Sequence, residues 1–160
     1  MLRVHVVHVG TVKEKYLTDA ISEYEKRLSA YCSLDNISVK EERLPDKPSA
    51  SEISAAVKRE GERILAAISQ RSYNIALCVE GKQMTSEMFS QKLSYIANDG
   101  FSDINLIIGG SDGLSDDVKR ACHMRLSISE MTFPHQLMRV ILLEQLYRAF
   151  NIAAGGKYHK

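Results

Sequence analysis

The order of strand-like and helix-like segments predicts a single-domain α/β fold, a mostly parallel sheet with helices on both faces. Three observations carry this. Short apolar runs alternate with helical patterns along the whole chain, the arrangement that lays helices over a parallel sheet. The run Asn74-Ile75-Ala76-Leu77-Cys78-Val79 is almost continuously apolar, as suits a central strand covered on both sides. The 160 residues show no recurring period and no linker long enough to divide them, which fits one domain spanning 1–160 around one sizeable core.

The elements follow in order. Leu2, Val4 and Val6 alternate with Arg3 and His5 ahead of Val7 and Val9, a first strand ending at Gly10. Leu17, Ile21, Tyr24, Leu28 and Tyr31 fall at three- and four-residue intervals, one stripe of an amphipathic helix. A second strand is expected at 36–44, stopping at Pro45, and PDKPSAS reads as a loop. Ser49 and Glu52 form a capping box for a helix whose expected core face is Ile53, Val57, Ile64/Leu65 and Ile68. The third strand covers 74–79, and a helix over 86–98 closes at Gly100. A fourth strand at 104–108 runs into Gly109-Gly110-Ser111-Asp112-Gly113. A short helix near 115–122 precedes a fifth strand at 126–129, and the last helix begins at Pro134.

Composition excludes several classes. Hydrophobic residues at 44% and charged residues at 26% are the mix of a globular chain, not a disordered one. No apolar run approaches membrane-spanning length, and MLRVHVVHVG alternates like a strand rather than a signal peptide. Cytoplasm is the expected compartment, with no membrane partner. Cys32, Cys78 and Cys122 are odd in number, widely spaced and lack CxxC. They read as small buried hydrophobes, not a disulfide framework or a zinc cluster, and no metal is expected. His5 and His8 read as structural residues of the first strand.

The net charge of +1 hides an asymmetry. Residues 1–118 hold 14 Lys/Arg against 18 Asp/Glu, whereas 119–160 hold 7 against 2. A basic end on a near-neutral chain points to a localised anion-facing surface, or to an unevenly charged solvated face.

Candidate chemistry lies where parallel sheets bind ligands, at the carboxyl ends of the strands. The GGSDG loop lacks GxGxxG spacing and has no P-loop lysine. What it offers is close approach of a ligand to backbone groups, or simply a tight turn. The last helix is apolar almost all round, from Leu137 to Phe150. One sheet face covers only part of such a helix, and the economical second partner is another copy of the chain. Glu144 and Arg148, four apart, are spaced to pair. Gly155-Gly156 then lead into Lys157-Tyr158-His159-Lys160, either a frayed terminus or a strip that meets RNA. In the second case Tyr158 is suited to stacking on a base.

The start MLRVHVVHVG with Lys15-Tyr16, the strand Leu77–Lys82, Ile108-Gly109-Gly110-Ser111-Asp112-Gly113, and MTFPHQLMRVILLEQLYRAFNI followed by Tyr158-His159-Lys160 together resemble the bacterial 23S rRNA pseudouridine N3-methyltransferases of the SPOUT superfamily. The resemblance covers the whole chain. It implies a homodimer with a C-terminal trefoil knot, its knot and cofactor loops within about 77–150, and a substrate tail at 155–160. A knot is a rare exception to general connection rules, so that expectation comes from the resemblance alone. S-adenosyl-L-methionine is the implied cofactor, held by Leu77, Gly109, Gly110 and the loop Ile128-Ser129-Glu130-Met131-Thr132-Phe133. The implied substrate is 23S rRNA in the ribosome. For the proton that N3 must lose, His159 is the candidate base, with Tyr158 positioning the nucleobase and His135 as the second candidate. Arg139, Arg148, Lys157 and Lys160 are the implied phosphate contacts. Many relatives carry proline or another small residue where this chain has Lys157. A tRNA-modifying enzyme of the same fold and a non-catalytic RNA-binding protein are the alternatives.

Overall fold

In the computed structural model, which describes residues 1–160, the elements are β1 (Arg3–Val9), α1 (Lys15–Leu28), β2 (Ser33–Val39), α2 (Ala50–Ala67), β3 (Tyr73–Gln83), α3 (Ser86–Asn98), β4 (Asp103–Ile108), α4 (Asp116–Ala121), β5 (Met124–Ser127) and α5 (His135–Ala153). The sheet runs β2-β1-β4-β3-β5, and every neighbouring pair is parallel. The expected fold class is what the chain adopts.

Alternation along the strands sorts side chains into two cores. Val4, Val6, Ile75, Leu77, Ile104 and Leu106 face the larger one, closed by α1, α3 and α5. Val7, Val9, Ala76 and Ile107 face the smaller one, closed by α2 and α4. The central strands are buried on both faces, which is why they read as unbroken apolar runs.

Four boundaries differ from the sequence expectation. β2 is Ser33–Val39 rather than 36–44, because it pairs residue for residue with β1 from Arg3↔Ser33 to Val9↔Val39 and has no partner beyond. β3 continues past Val79 to Gln83 because β5 supplies a second stretch of pairing. Ile75–Leu77 pair with Met124–Leu126, and after a register break Lys82 and Gln83 pair with Leu126 and Ser127. β5 accordingly ends at Ser127, two residues earlier than expected. Pro134 is the N-cap of α5, one residue outside the helix, where its carbonyl accepts from Met138 N–H.

The capping box is present at Ser49 and Glu52, yet the buried face of α2 is not the expected stripe. Ala56, Glu60, Gly61 and Ile64 are buried, and Ile53, Val57, Leu65 and Ile68 are only half-buried. Small residues win the centre because α4 comes down on that face. A Cβ on Gly61 would sit 2.2 Å from Ser115 Oγ, the hydroxyl that caps α4 by accepting from Val118 N–H.

Gly61→Ala is therefore expected to destabilise the fold. Alanine gains about 1 kcal/mol of helix propensity. Against that stand about 1–3 kcal/mol of overpacking and about 1 kcal/mol for the displaced cap. Chemical denaturation of the two proteins checks it, and a variant as stable as the parent would show that α4 yields freely.

Candidate functional site

At the carboxyl ends of β3, β4 and β5 the chain encloses a cavity of about 790 Å³, within the range of small-molecule and cofactor sites. Its walls are Leu77–Glu80 where β3 outruns β4, the loop Ile108–Leu114, and the run from Ile128 into the first turn of α5. Leu77, Gly109, Gly110, Ile128, Ser129, Met131, Thr132 and Phe133, expected to meet the cofactor, all line it, and Glu130 does not. Ile108 and Met138 add apolar wall from within the motifs, and Leu114 and Leu126 add more that no motif had singled out.

The loop between β4 and α4 folds back on itself. Gly110 bridges Gly113, Gly113 N–H donates to Gly110 O at 3.1 Å, and Gly113 takes φ +82°. A Cβ on Gly109 would stand 2.6 Å from the carbonyl carbon of Gly113, so the two passes of backbone meet only because no side chain intervenes. Across the cavity, Ser127 Oγ donates to Ser129 O and Met131 N–H donates to Ser129 Oγ. These bonds turn the chain away from β5 and leave Met131 75% exposed at the cavity.

The electrostatics suit a cationic ligand. Lys119, the only lysine at the cavity, is engaged by Glu80, and that hydrogen bond holds the Glu80 carboxyl below its usual range. Asp112 is also on the wall. Apolar side chains, exposed backbone and no unpaired lysine or arginine on the lining are what an adenosyl sulfonium requires, so the residues present fit the expected cofactor.

Behind Ile108 and Gly109, a small recess is lined by His8, Gly10, His135 and Arg139 among others. His8 Nδ1 donates to Gly10 O at 2.9 Å. Burial, with the Arg139 charge second, pushes the His8 pKa down to about 4. The unfolded histidine protonates near its ordinary value of about 6.5. Stability from neutral His8 is thus present above that pH and lost as pH falls towards 4. Denaturation midpoints should fall more steeply between those two pH values for the parent than for His8→Gln. Parallel curves would remove His8 as the cause.

Cys32 is buried, while Cys78 and Cys122 are half-buried, and all three are free thiols. Burial raises each of them, Cys32 and Cys122 to about 11. That keeps them protonated and unreactive, as expected of structural residues. His5 bonds Asp103 through Nε2 at 3.1 Å, at the opposite end of the sheet. No group of three His, Cys, Asp or Glu is placed to hold a metal ion, and no helix is long and apolar enough to cross a membrane.

The C-terminal strip is held rather than frayed. Gly155 takes φ +71°, and Gly156 N–H and Tyr158 N–H donate to the backbone and side-chain oxygens of Asn151 at 2.8 and 3.1 Å. Tyr158 OH donates to Glu144 at 3.1 Å, beneath an Arg148 guanidinium 4.6 Å from the Tyr158 ring centre. Burial, then hydrogen bonding with Tyr24 and Glu144, raises the Tyr158 pKa and keeps the phenol neutral. His159 Nε2 meets Glu87 at 2.7 Å and its Nδ1 meets Arg148 at 3.3 Å. Arg148 is itself tied to Glu144 at 2.6 Å, the pairing its spacing had indicated. None of these contacts involves a residue lining the cavity. Within one chain, His159 and Tyr158 lie along α5 and α3, apart from the proposed cofactor loop. Glu87 and Asn151, which complete this dock, left no sequence signal, because Glu87 meets His159 only in the folded chain and Asn151 sits inside an otherwise apolar helix. Lys157 and Lys160 are exposed, and Arg139 is half-buried at the recess.

A parallel α/β sheet with a cofactor-sized, cation-tolerant cavity at its carboxyl edge defines a small α/β cofactor-binding domain. The family described as predicted SPOUT methyltransferase matches residues 2–159. The chain is 48% identical over 159 residues to the ribosomal RNA large subunit methyltransferase H of Leuconostoc mesenteroides, covering 99% of this chain and 100% of that one. It is 46% identical, with the same coverage, to the protein of that name from Streptococcus suis. Among solved structures, a protein of Bordetella pertussis described as a probable methyltransferase superposes with a TM-score of 0.56 at 14% identity, over 93% of this chain and 96% of that one. A protein of Haemophilus influenzae described as a probable methylase family protein gives 0.55 at 13%, over 99% and 70%. The chain belongs to the SPOUT methyltransferase family, whose methyl donor is S-adenosylmethionine.

Proposed function

We propose that this protein methylates N3 of a pseudouridine in 23S rRNA, on assembled ribosomes in the cytoplasm, and that it works as a homodimer with a knotted C-terminal segment. End-to-end similarity to large-subunit rRNA methyltransferases carries the reading of the substrate. The convergence of the expected cofactor residues on one cavity supports the chemistry.

The cofactor supplies a methyl group carried on a sulfonium. Leu77, Ile128 and Phe133 give its adenosyl part apolar walls, and the backbone at Gly109-Gly110 is open to its polar edges. The imide N3 of the substrate must shed its proton to attack, so a base or a field that favours the anion accelerates transfer. His159 is the proposed base and Tyr158 the residue that positions the nucleobase, with His135 at the cavity wall the second candidate. Lys157 and Lys160 are free to meet phosphates, and Arg148 joins them once the dock opens. Because the strip docks away from the cavity, it must swing about Gly155-Gly156 or meet the cavity of a second copy.

Two observations favour the dimer. Leu137 is 37% exposed, and Val140, Ile141, Tyr147 and Phe150 remain half-exposed along α5. Beside them, Tyr31 stacks on Phe150 at 6.2 Å and meets Tyr147 edge-on at 5.9 Å, which makes an aromatic cluster along the same helix.

Methyl transfer from labelled cofactor to intact ribosomes, free rRNA and free tRNA tests the reading. Incorporation into ribosomes at the pseudouridine is expected. Incorporation into tRNA alone would overturn it in favour of the tRNA-modifying alternative.

A further inference from the structure

The recess behind Ile108 and Gly109 holds an unusual charge. The Nε of Arg139 is buried with no hydrogen-bond partner. Burial is the main influence on its guanidinium and lowers its pKa, and Glu25 acts on it only through its charge. Arg148, two and a half turns further along α5, has Glu144 in direct contact. A half-buried guanidinium with no carboxylate in contact is costly, and the neighbouring His8 and His135 contribute no negative charge. No oxygen of the chain accepts from its Nε, which leaves the group open to an anion from outside.

Geometry narrows which anion. Ile108, Gly109 and His135 line both this recess and the cofactor cavity, so the recess adjoins the cavity, while Gly10, Thr11 and Gln136 join it to a groove on its other side. The free volume is about 10 Å³, room for about one water-sized group and hence for one oxygen. A carboxylate at the end of a flexible chain can bring one oxygen there from the adjoining cavity. Lys157 and Lys160, by contrast, stand in the open where a phosphate backbone can reach them.

We infer that Arg139 binds the α-carboxylate of the methionyl arm of S-adenosylmethionine at the recess behind Gly109, and is not a contact to RNA phosphate. The inference rests on the cofactor cavity described above. Anchoring the arm there orients the sulfonium within the cavity, which matters for a transfer that depends on collinear geometry.

Calorimetry with S-adenosylmethionine and with its decarboxylated form tests this. The parent protein should bind the first about 10–100-fold more tightly than the second, the scale of a hydrogen bond to a charged group. Arg139→Gln should erase that difference, leaving affinity for the decarboxylated form unchanged, while Arg139→Lys should restore part of it. Equal affinity of the parent for the two ligands would overturn the inference without any variant having to fold. So would an Arg139→Gln protein that keeps its cofactor affinity but shows a raised KM for ribosomes, the behaviour of a phosphate contact. Loss of both ligands together with dissociation of the dimer would instead assign Arg139 to the subunit interface. Failure of the parent to bind either ligand would reject the cofactor cavity itself.

Discussion

Deleting Gly156–Lys160 is expected to lower methyl transfer to ribosomes by about 10²–10⁴-fold, the range over which a positioned acid–base group acts. Cofactor affinity and the denaturation midpoint should change little. The reasoning is spatial. The strip touches Asn151, Glu144, Arg148 and Glu87, none of which lines the cofactor cavity or sits in the sheet. Its hydrogen bonds are part-buried or exposed, so their loss should be tolerated. Single-turnover transfer with saturating cofactor, alongside calorimetry on the same sample, is the measurement. Undiminished transfer would remove Tyr158 and His159 from the chemistry. His159→Asn alone separates the base from the positioning group, because it keeps Tyr158 and should retain more activity than the deletion.

Gly109→Ala is expected to cost more than 10-fold in cofactor affinity, and about 1–3 kcal/mol in stability from overpacking. The added carbon would lie 2.6 Å from one backbone atom of Gly113 and 2.9 Å from Leu114 N. Backbone cannot rotate aside as a side-chain tip can, so the whole loop between β4 and α4 must shift. That loop is one wall of the cavity and also screens the Arg139 recess. Thermal denaturation with and without cofactor reads both effects. A variant that melts lower yet gains the same ligand-induced shift as the parent would show that the loop is structural only.

Much of the fold was legible from local pattern. The apolar run of β3, the three- and four-residue spacing of α1, and Ser49 with Glu52 at the start of α2 each declare their element from neighbours in sequence. The proposed cofactor residues were legible in a different way. Leu77, Gly109-Gly110 and 128–133 came from family resemblance, and the fold places them on one cavity with Glu130 alone turned aside. Periodicity failed on α2, where the widest apolar stripe yielded the centre to Ala56 and Gly61. Hydrophobicity alone does not reveal that another helix is about to press on that face.

What the sequence determined by itself is the set of elements, their parallel class, and the excess of apolar surface on α5, because these depend on contacts a few residues apart or on composition. Tertiary structure decided which groups meet. It set His159 against Glu87 across 72 positions, brought Ser115 over Gly61, and left the Arg139 Nε without a hydrogen-bond partner. Each depends on strand order and on the close packing of backbone from distant parts of the chain. No local propensity encodes that packing, and the free energy that selects it exists only once the sheet has assembled.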